Sequence, residues 1–171
     1  SGSYASYNWN STSNKATFFP FLAPKSGDVD EIGLHLQSGS SGDYILVGIY
    51  EADESAGYPK TRLGYATVDI SSAGDSFQTS MSETITLEFG KMYWLGYVAS
   101  EAGVGGSYAG PDNDGAVFSM PASNNVDDDA ERGLALTGGG ATYSLDATYD
   151  DTGIYGTSAV GMVPCVTVAI S

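Results

Sequence analysis

The sequence predicts an all-β chain, an antiparallel β-sandwich of jelly-roll type. Three observations predict it. Apolar residues alternate with others over several short runs, the period of a strand with one face inward. Charged residues make up only 16%, against roughly a quarter in an average domain, and Gly, Ser, Thr and Asn take their place. Gly and Pro punctuate the runs at intervals of about ten to fifteen residues, the spacing of sandwich and jelly-roll strands. No amphipathic helix longer than about ten residues can be traced.

Taken in order, residues 1–15 read as an extended lead-in, opening with a Ser1-Gly2-Ser3 that resembles a cloning remnant, and residues 16–171 read as a single sandwich. In "VDEIGLHLQS", Ile32, Leu34 and Leu36 share a face, which turns His35 outward. In "DYILVGIYEA", Tyr44, Leu46, Gly48 and Tyr50 alternate with Ile45, Val47 and Ile49, so both faces are apolar, as in a central strand. Gly57 and Pro59 break the chain before "RLGYATVDI", and "SSAGDS" reads as a further turn. "SETITLEF" puts Ile85, Leu87 and Phe89 on one face, and a tight connection leads into the aromatic strand "MYWLGYVA". Beyond Ser100 the chain reads as Gly-rich acidic loops with short apolar pieces, "AVFSMPA" among them. "AVGMVPCVTVAIS" closes it as a strand, with Pro164 at a bulge or an edge start.

At 171 residues and 42% hydrophobic, the chain is long enough to bury a core. No apolar run approaches the length of a membrane-spanning helix. The start carries neither the basic region nor the apolar stretch of a secretory signal, and the chain is expected to be one part of a longer parent. The net charge is −15, and residues 100–171 carry 10 acidic side chains against 1 basic one. Such a surface repels phosphate backbones and anionic lipid, so nucleic-acid binding and membrane insertion are not expected. Cys165 is the one cysteine and sits in an apolar run, as a small buried side chain does.

Catalytic chemistry finds few carriers, and no catalytic residue is expected. His35 is the single histidine, and no Gly-x-Ser-x-Gly elbow or phosphate loop is present. Carboxylate pairs remain: Asp112 with Asp114, Asp127 to Asp129 with Glu131, and Asp146 with Asp150 and Asp151. A glycosidase needs two carboxylates held about 5–9 Å apart, whereas acidic loops are ordinarily solvated. No cofactor is required by any motif. A structural Ca²⁺ is the one candidate, with Asp112, Asp114, Asp127 and Asp129 as its oxygen ligands, and "PDNDG" is far shorter than an EF-hand loop. Tyr108, Tyr143, Tyr149 and Tyr155 lie in polar, Gly-rich settings, with Asp112 and Asn113 near the first. Two roles fit these residues: stacking and hydrogen bonding to a ligand, or packing of their own loops and subunit contacts.

One segment carries a resemblance. It runs through Gly48, Ile49 and Tyr50, the turn at Gly57 and Pro59, and Leu63, Ala66, Val68, Asp69 and Ser71. It ends in the Leu-x-x-Gly-x-x-Tyr-Trp-Leu pattern of Leu87, Gly90, Tyr93, Trp94 and Leu95. With the upstream "FFPFLAPKSGDVDEIGLHL", it resembles the C-terminal β-sandwich domains of phage tail-fibre and other virion proteins, to which modules of bacterial surface proteins are related. The resemblance covers about residues 15–100. Tyr58 separates the usual Gly-Pro pair, and residues 101–155 match nothing in the pattern. It implies a non-enzymatic virion component, displayed on the particle surface as the distal receptor-binding domain of a tail fibre or spike. The expected partners are a host-surface glycan or protein, other virion proteins, and two further copies in a homotrimer, with residues 1–15 joining a stalk. A capsid decoration, a tail knob, or a carbohydrate-binding or adhesion module of a secreted bacterial protein are the alternatives.

Overall fold

The computed structural model describes residues 4–8, 15–55, 57–100, 107–111, 134–139, 144–149, 154–159 and 166–171, and side chains at 16–55, 57–100, 144–149 and 168–171. The described elements are all strands: β1 (Tyr4–Asn8), β2 (Lys15–Leu22), β3 (Gly27–Ser38), β4 (Tyr44–Ala52), β5 (Pro59–Asp69), β6 (Gly74–Gln78), β7 (Thr86–Leu87), β8 (Met92–Ala99), β9 (Ser107–Pro111), β10 (Leu134–Gly139), β11 (Ile154–Ala159) and β12 (Val166–Ile170).

They form two antiparallel sheets, an antiparallel β-sandwich. One sheet runs β11-β10-β2-β8-β4-β5. The other is organised by β3, whose twelve residues pair with β6 and β7 along one edge and with β12 and β9 along the other, with β1 beyond β9. The alternation in the sequence builds the core between them. Ile32, Leu34 and Leu36 of β3 face Ile45, Val47 and Ile49 of β4, and all six are buried. Each such side chain contributes about 1.5–3 kcal/mol by leaving water.

Strand β4 lies between β8 and β5, as its two apolar faces predict. Its outer face carries a second cluster in which Phe18, Tyr50, Trp94 and Val98 are covered by Leu145 and Tyr149. The covering segment, residues 144–149, is pinned to β5. Arg62 N–H donates to the Ala147 carbonyl at 2.9 Å, Tyr149 N–H donates to the Lys60 carbonyl at 2.8 Å, and the Arg62 guanidinium donates to the Leu145 carbonyl. The rest of that edge of β5 is covered by the bridge of Ala66 to Met81 and by Gln78, whose amide donates to the Thr67 carbonyl. A sheet edge covered by its own chain is closed to strand addition.

Several parts differ from the sequence reading, and Ser107–Pro111 and Ile154–Ala159, in the stretch read as loops, are strands. Tyr4–Asn8, read as a lead-in, is a strand paired with β9. Gly74–Gln78, partly read as a turn, is a strand because β3 offers it a ladder. Leu134–Gly139 lies in an acid- and glycine-rich region, yet it is held extended by β2 on one side and β11 on the other. Phe89 does not share the face of Ile85 and Leu87; it is 73% exposed, because the chain turns at Gly90 (φ 75°).

That turn gives the Leu87–Gly90–Tyr93 pattern its physical meaning. Leu87 and Tyr93 are buried, and the Tyr93 hydroxyl accepts the Glu88 N–H at 3.0 Å. This is the tyrosine corner of β-sandwiches, in which a phenol ties a strand to the backbone upstream. Tyr93→Phe is expected to lower stability by about 1 kcal/mol, the net worth of one such bond. A shift in the urea midpoint with unchanged slope would show it, and an unchanged midpoint would mean that the corner is held by packing alone.

Candidate ligand-binding site

Among the described residues, the outer face of the β4–β5 pair is covered only in part. Leu145 and Tyr149 lie over Gly48 and Tyr50, but the face runs on toward the start of β4, through Leu46 opposite Thr67 to Tyr44 opposite Asp69. There it opens into a groove of about 300 Å³, lined by Gly42, Asp43, Tyr44, Thr67, Asp69 and Ser71. Tyr44 is 39% exposed, whereas Tyr50 and Tyr93 on the same sheet are buried.

The chain builds this end from two turns packed on each other. Ser40 N–H donates to the Ile70 carbonyl at 2.7 Å, and Ile70 N–H returns to the Asp43 carbonyl at 3.3 Å. A side chain at Gly39 would strike the Ser71 backbone, its Cβ falling 2.5 Å from the Ser71 carbonyl oxygen, so the close approach needs glycine. The first residue past β8 joins in: Ser100 N–H donates to the Tyr44 carbonyl at 3.0 Å, and the Ser100 hydroxyl lies 3.4 Å from an Asp43 carboxylate oxygen. The Ser40 hydroxyl donates to the other Asp43 oxygen. Asp69 accepts the Ser71 N–H at 2.7 Å. Both carboxylates are therefore positioned before any ligand arrives. Since an ionised carboxylate has about four acceptor positions, each keeps capacity to accept more.

The sequence-predicted residues fare differently. Tyr149 is corrected: it is 5% exposed rather than presented on a loop, because its ring packs edge-on against Phe18 at 5.0 Å and at a tilt against Tyr50 at 5.7 Å. Tyr108 lies in β9, paired with Leu36, and Tyr155 lies in β11, paired with Thr137; their side chains lie outside the described residues. Asp112, Asn113, Asp114, Asp127, Asp129 and Tyr143 lie outside the described residues altogether. Among the described residues, no three of His, Cys, Asp and Glu converge as a metal site. His35 is solvent-facing, as its strand parity predicts, and its Nδ1 lies 2.6 Å from Asp75.

The groove itself escapes sequence reading. Tyr44 shares parity with Tyr50, so both read as packing residues, and the difference is that residues 144–149 reach only one of them. The usable signal is an acid-aromatic pair, Asp43-Tyr44, directly after the turn "SGSSG". No known family model matches this chain, and no curated protein matches it.

Proposed function

We propose that the chain is a non-enzymatic recognition domain of a virion, the distal part of a tail fibre or spike that contacts the host surface through the Tyr44 end of the sandwich. The observation that carries this reading is the open groove, which sets a half-exposed aromatic beside fixed hydrogen-bonding groups. Loops and strand ends held on a rigid scaffold are the usual place for recognition. The virion context rests on the sequence resemblance over about residues 15–100. Ser100, directly past the end of β8, bonds to Tyr44 and so ties that strand to the groove.

The test is adsorption. Fluorescently labelled protein, applied to a panel of bacterial strains, is expected to bind at least one of them saturably. Tyr44→Ala is expected to weaken that binding about tenfold, at unchanged melting temperature. A trimer in solution accords with a fibre tip, since linked copies gain avidity without new contacts. Background binding to every strain, together with no inhibition of infection, would overturn the reading in favour of a decoration or a tail knob.

A further inference from the structure

We infer that the Tyr44 groove binds an uncharged sugar ring, with Tyr44 as the stacking platform and Asp43 and Asp69 as acceptors for its hydroxyls. The inference rests on the recognition reading above and names the chemical class of the ligand.

The lining residues select that class. An aromatic ring offers its face to the apolar C–H side of a pyranose, and this arrangement needs the ring to be accessible, as Tyr44 is. Tyr44 and Asp69 are directly opposed across the β4–β5 ladder, and such neighbours hold their Cβ atoms about 5 Å apart, the width of one sugar ring. Thr67 lies two residues along on the face of Asp69 and brings a hydroxyl that both donates and accepts. Ionised carboxylates only accept, so they match groups rich in O–H donors. They reject anions: no cation is found among the described residues that line the groove, and the chain as a whole carries −15. Sialic acids, sugar phosphates and sulfated glycans are therefore disfavoured. The volume of about 300 Å³ is at the small end for ligand pockets, which fits one or two sugar units and not a long buried chain.

An open groove of this size makes few contacts, so affinity for a monosaccharide is expected in the millimolar range. Protein and ligand NMR are the suitable measurement, with methyl glycosides of glucose, galactose, mannose and N-acetylglucosamine as neutral probes and N-acetylneuraminic acid as the anionic one. At least one neutral glycoside is expected to saturate the intact protein and to shift the amide signals of Tyr44, Thr67 and Asp69. The acid is expected to shift none of them. Tyr44→Ala should weaken binding about tenfold, and Tyr44→Phe, which keeps the ring, should leave it within about twofold. Asp69→Asn keeps an acceptor for the Ser71 N–H, so the turn survives while the charge is lost; binding should weaken severalfold. Failure of every neutral glycoside to saturate, or saturation that Tyr44→Ala leaves unchanged, overturns the inference. If labelled protein still adsorbs to cells in that case, the recognition reading stands and only the ligand class falls. If a glycoside binds but no strain is adsorbed, the sugar site stands and the virion reading falls.

Discussion

Gly96→Ala is expected to lower the stability of the sandwich by about 3 kcal/mol, the upper end for over-packing a filled core. Gly96 lies in β8 between Phe18 of β2 and Gly48 of β4, in register with both. A Cβ there would fall 2.5 Å and 2.7 Å from two Phe18 ring carbons and 3.1 Å from a Tyr50 ring carbon. Real Cβ contacts are not that short, so a ring must move. Phe18 has nowhere to go, since it meets Tyr50 edge-on at 5.2 Å and Tyr149 at 5.0 Å. Gly48→Ala should cost less, about 1 kcal/mol, because its Cβ meets chiefly the far end of the Leu145 side chain at 2.8 Å, a methyl group that can turn aside without moving the backbone. Urea unfolding of both variants sets the order. Phe18→Leu, combined with Gly96→Ala, is expected to cost well under the sum of the two single changes, because the smaller side chain vacates the space. Additive losses, or a Gly96→Ala effect within the scatter of surface substitutions, would mean that the rings are not locked as described.

This locked triangle of rings marks where the sequence was legible and where it was not. Strand parity placed Ile32, Leu34, Leu36, Ile45, Val47 and Ile49 without help, because a period of two has one solution when a face is buried. The same parity announced an apolar second face on β4, through Leu46 and Tyr50. It could not say what covers that face, since residues 144–149 arrive from nearly a hundred positions away. Gly48 and Gly96 look like weak points in strands when read singly. Opposed on neighbouring strands, they make the floor on which Phe18, Tyr50 and Leu145 lie. Tyr149 was misread for the same reason: "ATYDD" has the composition of a loop, and only contact with Phe18 and Tyr50 makes its ring a core group. The candidate site was hidden by the boundary of that cover. Among the described residues, those that cover Gly48 and Tyr50 do not cover Tyr44, which is 39% exposed, and its strand parity does not mark the difference.

The cover also sets the protein's expected response to alkali. Tyr50 is fully buried and donates its hydroxyl to the Asp146 carbonyl at 2.9 Å. Burial, reinforced by Tyr149 beside it, holds its phenol far above the ordinary value, and the nearby Arg62 offsets this only in part. Tyr149 is raised as well, chiefly by burial. Above about pH 10 an unfolded tyrosine gives up its proton while the folded one keeps it. The native state then binds more protons than the unfolded state, so stability falls as pH rises; it is fully present below about pH 10. Each such group costs about 1.4 kcal/mol per pH unit, so Tyr50 alone removes about 2–3 kcal/mol between roughly pH 10 and 12. Lys60 and Lys91 are raised by hydrogen bonds to Asp53 and Glu51, the same direction, but both ammonium groups are solvated and their share is small. Tyr50→Phe isolates the effect. At about pH 8 it should cost about 1 kcal/mol, because the Asp146 carbonyl loses its donor. Toward pH 12 its unfolding free energy should fall less steeply than wild type by about one proton's worth, so the two curves cross at roughly pH 11 and the variant is the more stable one by about 1–2 kcal/mol at pH 12. Parallel curves would mean that water reaches the phenol, and hence that residues 144–149 do not seal the outer face whose open continuation is the Tyr44 groove.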